Sequence, residues 1–271
     1  MRGRSLNRHL PGLRVFFSSA YYSYIALFRW FRPAQYIASK VVMPLAQILF
    51  FAFLGMYTSG TRDPSYYVIG NAIQLAAVSG IYGVTMSVGG ERWAGTLGYL
   101  FGSPANRMLI FVGRAFMHVI DGMLGVVLGL VWGALLLGVD MSHTDLGALS
   151  LTILITTVST SGMGLLMGCL GLISRNVMFI NNTVYFLLLA LGGANVPVES
   201  LPGWVQRVSY LLPLTRGIAA ARLLIDGGTL RGVAVLLGGE LLVGAVYIIL
   251  GYVLFRQFEF LAKKRGTLEV M

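Results

Sequence analysis

ERWAGTLGYLFGSPANR, residues 91–107, is a polar, glycine-rich interruption between two long apolar runs. Residues 66–89 before it contain no Asp, Glu, Lys or Arg, and residues 108–139 after it are apolar apart from Arg114, His118 and Asp121. Each run exceeds the roughly 20 residues that carry a helix across about 30 Å of hydrocarbon, so the stretch between them must leave the membrane. It opens on Glu91 and Arg92, continues through Gly95, Thr96, Leu97 and Leu100, and closes on Ser103-Pro104. That spacing predicts a short helix with an apolar face of Leu97, Leu100 and Phe101, ended by proline because the residue before proline avoids the helical region. Such a helix suits docking into something outside the membrane.

Composition places the rest of the chain in the same class. Only 11% of the 271 residues are charged and 56% are hydrophobic, against about 25% charged in a soluble domain. The reading is an all-α, multi-pass membrane protein. A net charge of +10 would mark a nucleic-acid binder if the basic residues clustered on a soluble face. Here they flank apolar runs, as topology signals do, and no nucleic-acid partner is expected. Cys169 is the single cysteine and sits in an apolar run, which excludes an intrachain disulfide and a thiolate metal cluster. The first apolar stretch is aromatic, is broken by Arg29 and Arg32 and lacks a small-residue cleavage site, so the N-terminus is read as retained.

In chain order, a basic tail with Arg2, Arg4 and Arg8 precedes LRVFFSSAYYSYIALFRWFR, residues 13–32. Phe17, Ala20, Tyr21, Tyr24, Leu27, Phe28 and Phe31 recur there at helical spacing, which predicts an amphipathic helix in the headgroup layer, with an ordinary span as the alternative. Six transmembrane helices are expected at residues 36–57, 66–89, 108–139, 146–173, 177–194 and 232–255. An even number puts both termini on one side. That side carries fifteen Lys or Arg against five on the other, so the termini and the loop at Glu91 are expected in the cytoplasm of a prokaryotic cell, with the chain in its inner (plasma) membrane.

The connection between the fifth and sixth spans is too apolar for a solvated loop. Trp204, Val208 and Leu211 share one helical face, Pro213 interrupts, and Leu214, Ile218, Ala221 and Ile225 share another. A short re-entrant helical hairpin would explain this, since irregular backbone at membrane depth must be covered by protein; a hairpin lying on the surface is the alternative. The whole chain then reads as one domain, 1–271: residues 1–35 a tail and interfacial helix, 36–255 a six-helix bundle, 256–271 a second tail.

With these pieces in order, the chain resembles the ABC-2 type permeases, the membrane subunits of ATP-binding-cassette exporters that handle drugs, lipids and glycans. The resemblance rests on ERxxGTL (Glu91, Arg92, Gly95, Thr96, Leu97) followed by SPxxR (Ser103, Pro104, Arg107), and on LPxW with a later PLT and arginine (Pro202, Trp204, Pro213, Arg222). It implies that Glu91, Arg92, Gly95, Thr96, Leu97, Leu100, Phe101, Ser103 and Pro104 couple to an ATP-binding subunit, present in two copies, which holds ATP and Mg. It also implies a second permease subunit, identical or related, with lipid around the pair. An alternative for Glu91 and Arg92 is simple capping of helices at the interface.

No cofactor is expected in this chain. A P-loop needs GxxxxGK[ST], and none of Lys40, Lys263 and Lys264 follows such a glycine loop. Gln47, Phe51, Asn71, Gln74, Met86, Asn181, Asn182 and Tyr185 are candidates to line a mostly apolar pathway with a few polar points, or to serve as packing amides. Asp121 and His118 share a helix face and Glu240 stands alone in the last run; a buried structural contact to Arg114 or to a partner subunit is favoured over a proton relay. A gradient-driven secondary transporter is the alternative class. It would show internal repeats and a charged midplane site, and no repeat is present. An intramembrane enzyme would need a nucleophile-base or metal set. His9, His118 and His143 lie on different segments, and neither HExxH nor GxSxG occurs.

Overall fold

The computed structural model describes residues 11–30, 33–93, 95–102, 106–173 and 176–265. Among them every regular element is a helix, in the order α1 (Pro11–Trp30), α2 (Pro33–Ile37), α3 (Met43–Ser59), α4 (Ser65–Ala77), α5 (Val84–Trp93), α6 (Leu97–Gly102), α7 (Arg107–Leu137), α8 (Leu146–Ile173), α9 (Val177–Leu191), α10 (Gly203–Leu211), α11 (Thr215–Ile225) and α12 (Leu230–Arg265). A π-helical turn over Ala38–Val42 joins α2 to α3, and another over Val78–Gly83 joins α4 to α5. Each junction is a widened turn inside a continuous helix, the kind often found at functional positions.

Helix ends follow local chemistry. The Asn106 side chain accepts from the N–H groups of Met108 and Leu109 and so caps α7. Asp145 accepts from Ala148 N–H at the start of α8. Gly60 and Gly138 end α3 and α7 at φ of 68° and 69°, in the left-handed region where a side chain is disfavoured.

Among the described residues five helices are long and apolar enough to cross a membrane: Ala38–Ser59, Ser65–Gly90, Arg107–Leu137, Leu146–Leu172 and Leu230–Leu261. They match five of the six expected spans. The expected fifth span is α9, which has 15 residues and a length of about 22 Å, short of the hydrocarbon thickness. The helix ends at Leu191, not at Ala194, because Gly192 and Gly193 lead into irregular backbone. The segment beyond is two helices, α10 and α11, bent by 90° at a short break. Trp204 and Leu211, expected to share an apolar face of α10, are exposed, whereas Leu214, Ile218, Ala221 and Ile225 are buried.

The bundle is built around α8. Gly164 meets the π turn of α4–α5 so closely that an added Cβ would lie 1.9 Å from the Gly80 carbonyl oxygen. On the opposite side Gly162 faces the Gly244 carbonyl of α12, and Gly251 of α12 faces Leu166. Small residues on both helices bring backbones into contact, the usual driving geometry where lipid removes the hydrophobic bias between helices. Buried hydroxyls of Thr152, Thr156 and Thr157 are satisfied by carbonyls one turn back, so the tract is compatible with a dry interior. The main apolar core joins α4, α8 and α11 through Val68, Ala72, Ile153, Met163, Ile218 and Leu224. A smaller core near the terminal end joins Val84, Val88, Phe111, Leu172 and Phe255.

α1 packs along the first turns of α7. The Phe16 and Phe116 rings lie 5.6 Å apart and Gly113 sits against the Phe16 carbonyl. Ala20 is buried while Phe17, Tyr21 and Tyr22 are exposed.

Candidate functional site

The loop after α5 is a turn held between fixed supports. Glu91 and Arg92 lie in the last turn of α5. Gly95 follows with φ of +66°, a conformation that L side chains rarely adopt, so the reversal into α6 requires glycine there. Thr96 and Tyr99 are exposed, and Leu97, Leu100 and Phe101 belong to the six-residue α6. Ser103 and Pro104 lie outside the described residues. On the entry side, Arg114 Nη1 donates to the Ser87 carbonyl at 2.8 Å and ties α5 to α7. On the exit side, Arg107 forms an ion pair with Glu259 of α12, which also takes Arg256 at 3.2 Å. Glu259 was not among the expected residues, although it is the only acid between Arg256 and Arg265. A lone acid in a basic run was the available signal.

A polar seam crosses the helices at a different level. Tyr185 Oη of α9 donates to Gln47 Oε1 of α3 at 3.3 Å. Gln47 Nε2 in turn donates to Asn71 Oδ1 of α4 at 3.4 Å, and Asn71 Nδ2 donates to Asn195 Oδ1 at 2.7 Å. Tyr82 Oη donates to Asn182 Oδ1 at 2.7 Å, and its ring lies 5.6 Å from that of Tyr185. The structure therefore gathers Gln47, Asn71, Asn182 and Tyr185 from the expected set and adds Tyr82 and Asn195. Gln74 and Asn181 are fully buried, with no hydrogen-bond partner for either amide atom among the described residues. Phe51 is half-buried against Phe50, and Met86 is exposed on α5.

At the far end, Arg222 of α11 is the fastening point. Its guanidinium donates to the Tyr66 carbonyl at 2.9 Å and the Ala194 carbonyl at 3.0 Å, and stacks 3.5 Å from the centre of the Tyr66 ring. The planar fork serves the start of α4 and the chain leaving α9 at once, and the ring face adds a cation–π contribution. Gly70 leaves room for it: an added Cβ would lie 2.6 Å from Arg222 Nη2. Pro202 precedes the first residue of α10, where its missing N–H costs nothing, and Trp204 is exposed beside it. Arg222→Lys removes the fork and is expected to destabilise the protein by about 2 kcal/mol. Thermal unfolding in detergent checks it, and an unchanged midpoint would show that the two carbonyls need no common donor.

The intramembrane charges differ from expectation in their partners. Asp121 of α7 pairs with Lys40 in the first π turn and accepts from Ser79 Oγ in the second at 2.6 Å. Lys40 also donates to Ser79 at 3.2 Å. Arg114, expected as the partner unless a partner subunit took that place, donates to the Ser87 carbonyl. His118 is buried one turn away, close against Gly83. Glu240 of α12 is fully buried and accepts the Leu214 N–H at 2.6 Å.

Comparison with known proteins follows the same lines. The profile of the family described as ABC-2 type transporter matches residues 20–225, a range that takes in the loop after α5, the polar seam and Arg222. The "Probable multidrug ABC transporter permease YbhR" of Escherichia coli strain K12 is 29% identical over 154 residues, covering 56% of this chain and 41% of that protein. The protein of the same name from Escherichia coli O157:H7 matches to the same extent. The match thus spans about two fifths of the length of these relatives.

Proposed function

This chain belongs to the ABC-2 type transporter family, and from that premise we propose that it is the membrane component of an ATP-driven exporter. Its cargo is an amphipathic or hydrophobic molecule. Two copies of a separate ATP-binding subunit supply the work, and a second permease subunit, identical or related, completes the pathway. The termini and the loop after α5 face the cytoplasm of a prokaryotic cell, and α1 lies in the headgroup layer of the inner membrane.

The observation that carries this reading is the braced loop. A coupling element must pass a push from its partner to the bundle without bending. Here α5 enters tied to α7 through Arg114, and α7 leaves tied to α12 through Arg107 and Glu259. Between these supports the glycine-turned segment with α6 carries Glu91, Arg92, Gly95, Thr96, Leu97, Leu100 and Phe101, and continues into Ser103 and Pro104. Glu91 and Arg92 make the charged contacts, and Leu97, Leu100 and Phe101 fill a groove on the partner. ATP binding shifts the bundle only in so far as the partner grips one arrangement more tightly than the other. The polar seam supports a pathway along α3, α4 and α9. The orphaned amides of Gln74 and Asn181 fit groups that exchange partners with cargo or water, since buried polar atoms are otherwise nearly always paired.

Glu91→Lys tests the coupling role. In vesicles reconstituted with the ATP-binding partner, the variant is expected to lose at least tenfold of both ATP-dependent flux and cargo-stimulated hydrolysis. The fold should stay intact, because the residue lies in the last turn of α5, next to the loop. Unchanged stimulation would leave Glu91 as a cap only. Flux driven by an ion gradient without ATP would favour the secondary-transporter reading, for which the Lys40–Asp121 pair is the supporting observation.

A further inference from the structure

The elbow between α10 and α11 holds two features that are unfavourable by themselves and meet at one point. Leu214 has φ of 92°, the only non-glycine residue with positive φ among those described, and its side chain is fully buried. A branched residue in that region persists only where its surroundings over-determine it, and such strain clusters at active sites, ligand clamps and switch regions. Glu240, fully buried in α12, supplies the constraint. Its Oε1 accepts the Leu214 N–H at 2.6 Å, while its Oε2 is buried with no hydrogen-bond partner among the described residues. The acid therefore stands at the start of an eleven-residue helix, where free N–H groups and the helix dipole favour a negative group.

The neighbours fit this arrangement. Ser159 Oγ donates to the Glu240 carbonyl at 3.1 Å and sets that turn of α12 against α8. Thr215 Oγ1 donates to the Ser209 carbonyl at 2.8 Å, and Arg216 Nη1 donates to the Tyr210 carbonyl at 2.6 Å, so the first turn of α11 is stitched to the last turn of α10. Gly217 gives way to Thr156, and Gly239 to the Arg216 stem. The two short helices thus form one stitched unit. Near the elbow it is bound to α12 through the Glu240 carboxylate, and at the other end of α11 it is bound through Arg222.

We propose that Glu240 is the positioning residue of an outer gate: its carboxylate holds the strained elbow inward, and losing that acceptor lets Leu214 relax and the α10–α11 unit swing away from α12. The name outer gate rests on the transport reading above, but the elbow's attachment does not. In the inward state the elbow closes over α4 and α8. In the released state the buried face of α11 becomes accessible to water.

Thiol accessibility tests this in the full-length chain. Cys169→Ala removes the native thiol, and Ala220→Cys places a small probe on the inner face of α11, a position that is fully buried and takes no part in the stitch. The membranes are permeabilised so that a hydrophilic maleimide reaches both faces. The parent and Glu240→Gln, whose amide oxygen still accepts the Leu214 N–H, are expected to label equally slowly. Glu240→Ala is expected to label at least tenfold faster. Ile153→Ala, a buried cavity variant of the α8 core, controls for general loosening and is expected to stay protected. Equal rates for Glu240→Ala and the parent overturn the proposal, as does labelling of Ile153→Ala as fast as Glu240→Ala. The measurement needs neither ATP nor a partner, so its failure is distinct from a failure of the transport reading.

Discussion

Gly164→Val is expected to abolish assembly of the bundle, with no monodisperse protein recovered after solubilisation. The site has no slack. A Cβ on Gly164 would lie 1.9 Å from the Gly80 carbonyl oxygen and 3.0 Å from Val84 Cβ, and the first of these is backbone in a π turn that cannot rotate out of the way. Overfilling a core costs about 1–3 kcal/mol where side chains can shift, and here one helix would have to move bodily. Separating α8 from the π turn also takes Thr85 Oγ1 from the Gly164 carbonyl, 3.1 Å away, and Thr160 Oγ1 from the Ala76 carbonyl, 3.3 Å away. Leaving the Thr85 hydroxyl unpaired in hydrocarbon adds to the loss, while Thr160 Oγ1 keeps the Thr157 carbonyl of its own helix at 3.0 Å. Gly98→Val makes the matched control, since nothing lies within 4 Å of a Cβ there. Wild-type yield and unfolding midpoint for Gly164→Val would mean that α8 and the π turn are not in the contact described.

Asp121→Leu is expected to be the next most damaging single change, at about 3–5 kcal/mol, because it leaves the mostly buried Lys40 ammonium without its counter-ion. The Lys40→Met/Asp121→Leu double variant is expected to recover most of that loss, since an apolar pair of similar volume has no desolvation penalty. Thermal unfolding of the two singles and the double gives the coupling directly. Additive losses would show that the two charges stand apart. The pair adds a polar contact to a helix that otherwise packs through one apolar face. In α3 Pro44, Ile48, Ala52 and Gly55 are buried, with Gly55 against the Tyr67 ring, whereas Phe50, Phe53, Leu54 and Tyr57 are exposed. Lys40 fastens the helix near one end and Gln47 in the middle.

Two of these contacts could not be found by reading along the chain. Lys40 lies 81 residues from Asp121 and Glu240 lies 26 from Leu214. Periodicity says that such groups should avoid lipid but not which helix will meet them. Arg114, expected beside Asp121 with a partner subunit as the alternative, sits on the same helix and near in sequence, whereas the Lys40 that pairs with Asp121 comes from another helix. The end of α9 was only half legible. Gly192 and Gly193 follow its apolar run, and Gly193 takes φ of +82°, a local stop. What fixes the chain beyond that stop is not local: the Arg222 guanidinium, 28 residues away, holds the Ala194 carbonyl.

The amino-acid sequence alone determined that this chain crosses a membrane, where its long apolar helices lie, and that residues 91–107 and the segment around Arg222 break the pattern at two places. Those properties follow from local quantities: transfer free energy per residue, the reach of a helix, and the backbone preferences of glycine and proline. Only the tertiary structure decided which helix lies at the centre, which buried charge meets which partner, and that a strained leucine rests on the carboxylate of the last helix. In lipid every apolar face is equally content, so lateral order comes from close backbone approach and a few polar contacts, and those exist only once the helices have been placed side by side.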